Sequence, residues 1–299
     1  MTTIPTLSTA LKRYPTTKAL LTGELTSPNF SFEFHEIEPI HNAFKPMARE
    51  QKFDVSELAI FTFLQAYAYK KPLVLLPVVL AARFQHGCIV YNTDFHDHLT
   101  PGMLPGKKVG VRAYTQTTGA WVRNILSQEQ GVDLESVKWV IFEDAHLAEY
   151  KEPSFVTRAP KGTNLLSMLM SGEIDAGILG NDLPDDPKIK PVIPDAAQAG
   201  KAWHERTGLI PVNHMLVVTQ KLAQERPDLV REVYDLFKRS KEMAPVAPGA
   251  IDMRPLGFDA IAPSLELVIQ LAYEQQIIPT RFSVEELFAD ARAILCPNA

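Results

Sequence analysis

Residues 107–131, KKVGVRAYTQTTGAWVRNILSQEQG, decide the reading of the fold. KKVGVRAY has the branched, half-apolar character of a β-strand, and TQTTG has turn composition. AWVRNILSQEQ then places Trp121, Ile125 and Leu126 on one face of an amphipathic helix. Gly131 ends that helix in the left-handed conformation that a residue with a Cβ resists. The same logic recurs downstream. VKWVIFE reads as a strand, and TNLLSMLMSGEIDAGILG reads as a helix stopped by Gly172, followed by a strand over Ile174–Leu179. Strands and helices in alternation indicate an α/β protein.

Working outward, a short helical stretch at 43–50 leads into FDVSELAI, an apolar, β-tending element. A helix over FTFLQAYAY and the run LVLLPVVLAA at 73–82 follow, and ARFQHGCIVYN reads as a further strand. The ten-residue run is interrupted by Pro77 and is far shorter than the roughly 20 residues of a membrane helix, so buried strands are expected there. Beyond residue 196, MLVV is strand-like. Helices are expected at Pro227–Glu242, Pro263–Gln276 and Ser283–Leu295, the last opening with Ser283 and Glu286 at capping-box spacing.

Two polar stretches rich in proline, NTDFHDHLTPGMLPG and NDLPDDPKIKPVIPD, mark boundaries. They suggest one lobe over 99–195 and a discontinuous second lobe from 1–98 plus 196–299. A length of 299 residues agrees with two domains at roughly 150 residues each. Two lobes joined by two crossings form a cleft, where small ligands are held.

Composition narrows the function classes. With 46% hydrophobic and 22% charged residues, the chain is globular rather than disordered. Thirty Lys+Arg against 35 Asp+Glu give a net charge of -5, which argues against nucleic-acid and polybasic membrane binding. Cys88 and Cys296 lack metal-type spacing and read as reduced thiols. The N-terminal stretch carries no secretory-type apolar run, so a cytoplasmic location is expected.

The segments TALKRYPTTKALLTGEL, FDVSELAI, ARFQHGCIVYN, GKKVGVRAYTQTTGAWVRNIL, LLSMLMSGEIDAGILG, IPVNHMLVV and IIPTRFSVEELF together resemble the 4,5-dihydroxyphthalate decarboxylase family. That family is related in fold to the type II periplasmic substrate-binding proteins. The resemblance implies a two-lobed α/β fold with the ligand between the lobes, and the expected activity is that of an aromatic-acid decarboxylase without an organic cofactor.

Several residues are candidates for that chemistry. Thr117, Thr118 and Gly119 sit where a helix begins, and free N–H groups at such an end bind carboxylates; helix capping is the duller alternative. Arg112, two residues before Tyr114 on the same expected strand, offers a bidentate clamp for a carboxylate or else a surface arginine. Glu57 can accept a substrate hydroxyl or cap the following helix. Arg83 and His86 belong to a segment that matches the family pattern, so the resemblance implies a site role for both. A strand period of 2 would put them on opposite faces. His214 begins the return strand and is the other candidate acid, with Asn213 beside it supplying an amide. His96, Asp97 and His98 form an H-x-H pattern in a boundary loop with no third ligand in view, so no metal is expected. Asp182, Asp185 and Asp186 lack the spacing of a calcium loop.

The expected reaction is protonation of a ring carbon and loss of CO2 from a hydroxylated aromatic carboxylate such as 4,5-dihydroxyphthalate. Arg83, Arg112 and the 117–119 turn would anchor the acid, Glu57 would take the hydroxyl, and His86 or His214 would donate the proton. A transporter-type protein that binds a small carboxylate without turning it over is the alternative, as is a lyase of related fold with other chemistry. A small aromatic carboxylate is the expected partner, and a homo-oligomer is compatible with the sequence.

Overall fold

A computed structural model describes residues 4–180 and 183–297. Asn181 and Asp182, at the head of the second polar stretch, lie outside the described residues. The chain divides into two compact units, one of residues 1–83, 212–273 and 278–299 and the other of 84–211 and 274–277. Both polar stretches fall within the residue span of the second unit.

The strands in chain order are β1 (Thr6–Ala10), β2 (Ser31–Phe34), β3 (Val55–Ala59), β4 (Leu73–Ala82), β5 (Ile89–Asn92), β6 (Lys108–Val111), β7 (Lys138–Ile141), β8 (Val156–Arg158), β9 (Ala176–Ile178), β10 (Ile189–Pro191) and β11 (Val212–Thr219). The first unit holds the sheet β2-β1-β3-β11-β4, and the second holds β10-β5-β9-β6-β7-β8.

In the first sheet β1 runs parallel to β2 and β3, whereas β11 is antiparallel to both β3 and β4. The apolar run at 73–82 is the edge strand β4, where a proline is tolerated. Its outer edge is not bare: the amides of Val79 and Gly257 donate to the carbonyls of Pro255 and Pro77. Val55 through Ala59 are all buried, as befits a strand with neighbours on both edges. The helix Pro227–Glu242 spans the expected residues, and the helix Val284–Leu295 opens on a complete Ser283–Glu286 capping box. Pro263 lies inside the helix Phe258–Glu274 rather than opening it.

In the second sheet β9, β6, β7 and β8 run parallel in succession, and β5 and β10 join antiparallel. The helix Leu165–Met170 covers this sheet with Leu165, Met168 and Leu169, packed with Val90, Val140 and Ile174. Gly131 and Gly172 hold φ of +67° and +76°, the left-handed stops expected of them.

Two expectations from the deciding stretch change. The strand ends at Val111 rather than Tyr114, and the helix begins at Thr117, so Thr117–Gly119 form its first turn. The expected strand 82–92 is also broken: β4 ends at Ala82, His86–Cys88 make a 3₁₀ turn, and β5 begins at Ile89. The period-2 argument about Arg83 and His86 therefore does not apply, and the two belong to different units.

Candidate functional site

Antiparallel register places Leu216 of β11 opposite Glu57 of β3, and His214 opposite Ala59. Side chains alternate along a strand, so His214, two residues from Leu216, shares a sheet face with Glu57. On its other edge β11 pairs irregularly with β4, with register shifts on both sides of His214. Such bulges re-aim side chains, and they occur often beside active sites.

The consequence is a close contact between residues distant in the chain. His214 Nδ1 lies 2.5 Å from Glu57 Oε1. Tyr14 donates its hydroxyl to the same oxygen at 2.6 Å, and the Lys12 amide donates to Oε2 at 3.0 Å. Glu57 has no solvent exposure, and the His214 side chain is 21% exposed. Phe44 packs edge-on against the imidazole, with ring centroids 4.9 Å apart. Lys12 and Tyr14 follow the C-terminal end of β1, which is parallel to β3; in open α/β sheets such strand ends carry ligand sites.

This arrangement has definite chemical capacity. A buried carboxylate with three donors is locked in position. Donation from Nδ1–H to it fixes the imidazole tautomer and ring plane, leaving Nε2 as the position where a proton can be exchanged. Burial pushes the Tyr14 hydroxyl far above its ordinary value, and the neighbouring Glu57 pushes it further, so Tyr14 stays a donor. Glu57 does not sit as an acceptor for a substrate hydroxyl, because both of its oxygens are engaged inside the protein. Nor does it cap the helix Ile60–Ala68, whose N-cap is Ala59.

The second candidate histidine has another setting. His86 is 2% exposed, with Nε2 at 3.2 Å from Glu129 Oε1, and its buried Nδ1 has no hydrogen-bond partner. Glu129 ends a π-helical turn, Ile125–Glu129, and also receives Arg206 at 3.2 Å. Arg112 reaches Glu143 at 3.5 Å. Tyr114 is buried, and its ring lies under the guanidinium of Arg123, 3.8 Å from centroid to Cζ. Thr117, Thr118 and Gly119 are buried, and no side chain caps their helix. Asn213 lies buried in β11. Arg83 follows the end of β4. His96 pairs with Asp175 at 3.0 Å, and among the described residues no group of three or more His, Cys, Asp or Glu is placed to hold a metal.

Tyr14 and Arg123 escaped the sequence reading. Tyr14 lies in TALKRYPTT, and the available clue was its place just after a strand. Arg123 looked like the polar face of an amphipathic helix, and only its packing shows otherwise.

No family model matches the chain. A 4,5-dihydroxyphthalate decarboxylase of Comamonas testosteroni is 30% identical over 251 residues, covering 80% of this chain and 75% of that protein. The chain belongs to the 4,5-dihydroxyphthalate decarboxylase family. A second family member, from Pseudomonas putida, is 28% identical over 211 residues, 66% of this chain and 81% of that protein. Membership of this decarboxylase family makes the chain a carboxy-lyase.

Solved structures agree on the fold. The periplasmic aliphatic sulphonate binding protein SsuA of Escherichia coli matches with a TM-score of 0.60 and 12% identity, over 98% of this chain and 99% of that one. The desulfurization enzyme DSZB matches at 0.57 and 14% identity, over 99% and 100%. This decarboxylase family member therefore has the α/β fold of periplasmic binding proteins, a fold that also serves an enzyme. Among the described residues no helix is long and apolar enough to cross a membrane.

Proposed function

We propose that the protein removes CO2 from a hydroxylated benzene carboxylate such as 4,5-dihydroxyphthalate, with His214 as proton donor. The observation that carries this reading is the partly exposed His214 imidazole held at 2.5 Å by a fully buried, triply bonded Glu57. An acid must reach its substrate, which favours His214 over the enclosed His86.

A hydroxyl para to the carboxylate pushes electron density onto the carbon that bears it. The Nε2 proton of the His214 imidazolium adds to that carbon, and the ring becomes cationic. The bond to the carboxylate then breaks, its electron pair returns to the ring, and CO2 leaves. One proton enters the ring for each CO2 lost, and Nε2 recovers its proton from water. Glu57 acts through His214 as a positioning residue, and Tyr14 acts through Glu57. Asn213 and Arg83, in the same unit as His214, are read as substrate contacts.

Incubation with 4,5-dihydroxyphthalate and measurement of CO2 tests the reading. The wild-type protein should release CO2, and folded His214→Gln should lose turnover by roughly 100-fold or more. Ligand binding without CO2 across a panel of hydroxylated aromatic acids would refute the substrate class. Full turnover by His214→Gln would refute the acid.

A further inference from the structure

We infer that Arg254 is a specificity-determining residue beside His214, holding the carboxylate that stays on the ring while its neighbour leaves as CO2. The inference rests on the decarboxylase reading above and names the group of the substrate that this residue takes. Arg254, His214, Glu57, Tyr14 and Lys241 all belong to the first unit.

Residues 252–257 form a strap along the outer edge of β4. Val78 bridges Leu256 in antiparallel fashion, with main-chain bonds from Val79 to Pro255 and from Gly257 to Pro77. Counting back along that register puts Arg254 beside Leu80, next to Ala81, whose inner edge pairs with His214. Neighbouring strands lie about 4.8 Å apart, so two steps separate the Arg254 and His214 backbones by on the order of 10 Å. A long arginine side chain spans most of such a gap.

The strap is tied down at this residue. Lys241, in the last turn of the helix Pro227–Glu242, donates to Asp252 Oδ2 and to the Arg254 carbonyl, each at 2.5 Å. The Arg254 amide donates to the other Asp252 oxygen at 3.0 Å. Both main-chain groups of Arg254 are thus fixed, whereas its half-buried side chain is not used: the guanidinium makes no hydrogen bond or ion pair with any described residue. Its charge is nevertheless felt at the dyad. The Tyr14 hydroxyl, raised chiefly by burial and by Glu57, is pulled back down by Arg254. Glu57 does not serve as its partner, since both carboxylate oxygens are engaged with Lys12, Tyr14 and His214. A guanidinium on an anchored backbone, with its fork of donors free beside a proton donor, suits a carboxylate.

The reaction chemistry selects which carboxylate. One that leaves as CO2 must give up its negative charge, so gripping that charge stabilises the ground state and slows the step. In a substrate with two adjacent carboxylates, the second sits on the carbon next to the one protonated, within range of a cation near His214. It keeps its charge throughout, so Arg254 should bind it equally in substrate and product.

Binding of 3,4-dihydroxybenzoate, its amide and catechol to the whole protein tests this without requiring turnover. Wild type should prefer the acid over the amide by tenfold or more, about 1.4 kcal/mol. Arg254→Gln should bring the two within twofold of each other and leave catechol affinity unchanged, whereas Arg254→Lys should keep part of the preference. With 4,5-dihydroxyphthalate, the Arg254→Gln loss should fall mainly on KM. Equal wild-type affinity for acid and amide would overturn the inference even if no variant folds. So would an Arg254→Gln protein that binds the acid normally, one that loses catechol and acid together, or one whose loss lies in kcat with KM unchanged. Absence of CO2 from wild type would overturn the decarboxylase reading alone, since the binding comparison remains legible.

Discussion

Replacing Glu57 by Gln keeps the shape of the side chain and removes its charge. The carboxylate accepts from the Tyr14 hydroxyl, the Lys12 amide and His214 Nδ1. An amide cannot satisfy all three. With its oxygen toward Tyr14 and His214, its NH2 meets the Lys12 N–H; reversed, its NH2 faces Nδ1 and selects the other imidazole tautomer. Hydrogen bonds to a charged group contribute about 1.5–3 kcal/mol each, so stability falls on that account. Removing a fully buried charge returns several kcal/mol of desolvation, and the net change should stay within about 2 kcal/mol. Catalysis has no such offset. Loss of an oriented general acid costs roughly 10²–10⁴ in rate, or about 2.7–5.4 kcal/mol of barrier. Thermal melting and initial rates of CO2 release should therefore separate, with melting little changed and kcat down by at least 100-fold. Nitrogen NMR of His214 should report a changed tautomer. A folded Glu57→Gln protein with kcat within threefold of wild type would refute the dyad.

Three further perturbations have distinct signatures. Tyr14→Phe removes one of Glu57's three donors, so kcat should fall about 3- to 10-fold with about 1 kcal/mol of stability lost, read by rates and denaturant melts. His86→Gln should cost stability of about 1–2 kcal/mol and change kcat less than tenfold, because that ring is enclosed with Glu129; a large loss of turnover would move the acid role to His86. Burial raises the Asp175 carboxyl, but the Lys108 amide, Lys107 and His96 outweigh it and hold the group below its ordinary value of 3.8. A carboxyl lowered in the folded state contributes stability above its unfolded value, and that contribution disappears as the pH falls below about 3.8 toward the folded value. Asp175→Asn should therefore lower stability at neutral pH and flatten the acid limb of the melting curve. An unchanged acid limb would contradict the assignment.

Much of the architecture was legible because it is local. Alternating strand and helix patterns, Gly131 and Gly172 as helix stops, the capping box at Ser283 and the helix 227–242 all depend on residues within a few positions of one another. The helix-start composition at 117–119 was legible for the same reason, although its exact onset was not, since strand and turn propensities overlap across Arg112–Gln116. His214 and Glu57 were both visible as candidates, but their partnership was not. It spans 157 positions, and nothing in either segment specifies the β3–β11 register that puts them on one face. Tyr14 gained its meaning only when β1 was laid beside β3. Arg123 shows the limit most plainly: charge in a helix predicts a solvated face, and only tertiary packing placed this one over the Tyr114 ring, with no carboxylate among the described residues to meet it. Sequence thus determined which elements form, through short-range periodicity and backbone preference. Tertiary structure decided which side chains meet and which charges are left unmatched, because those depend on pairing register and burial between segments far apart in the chain.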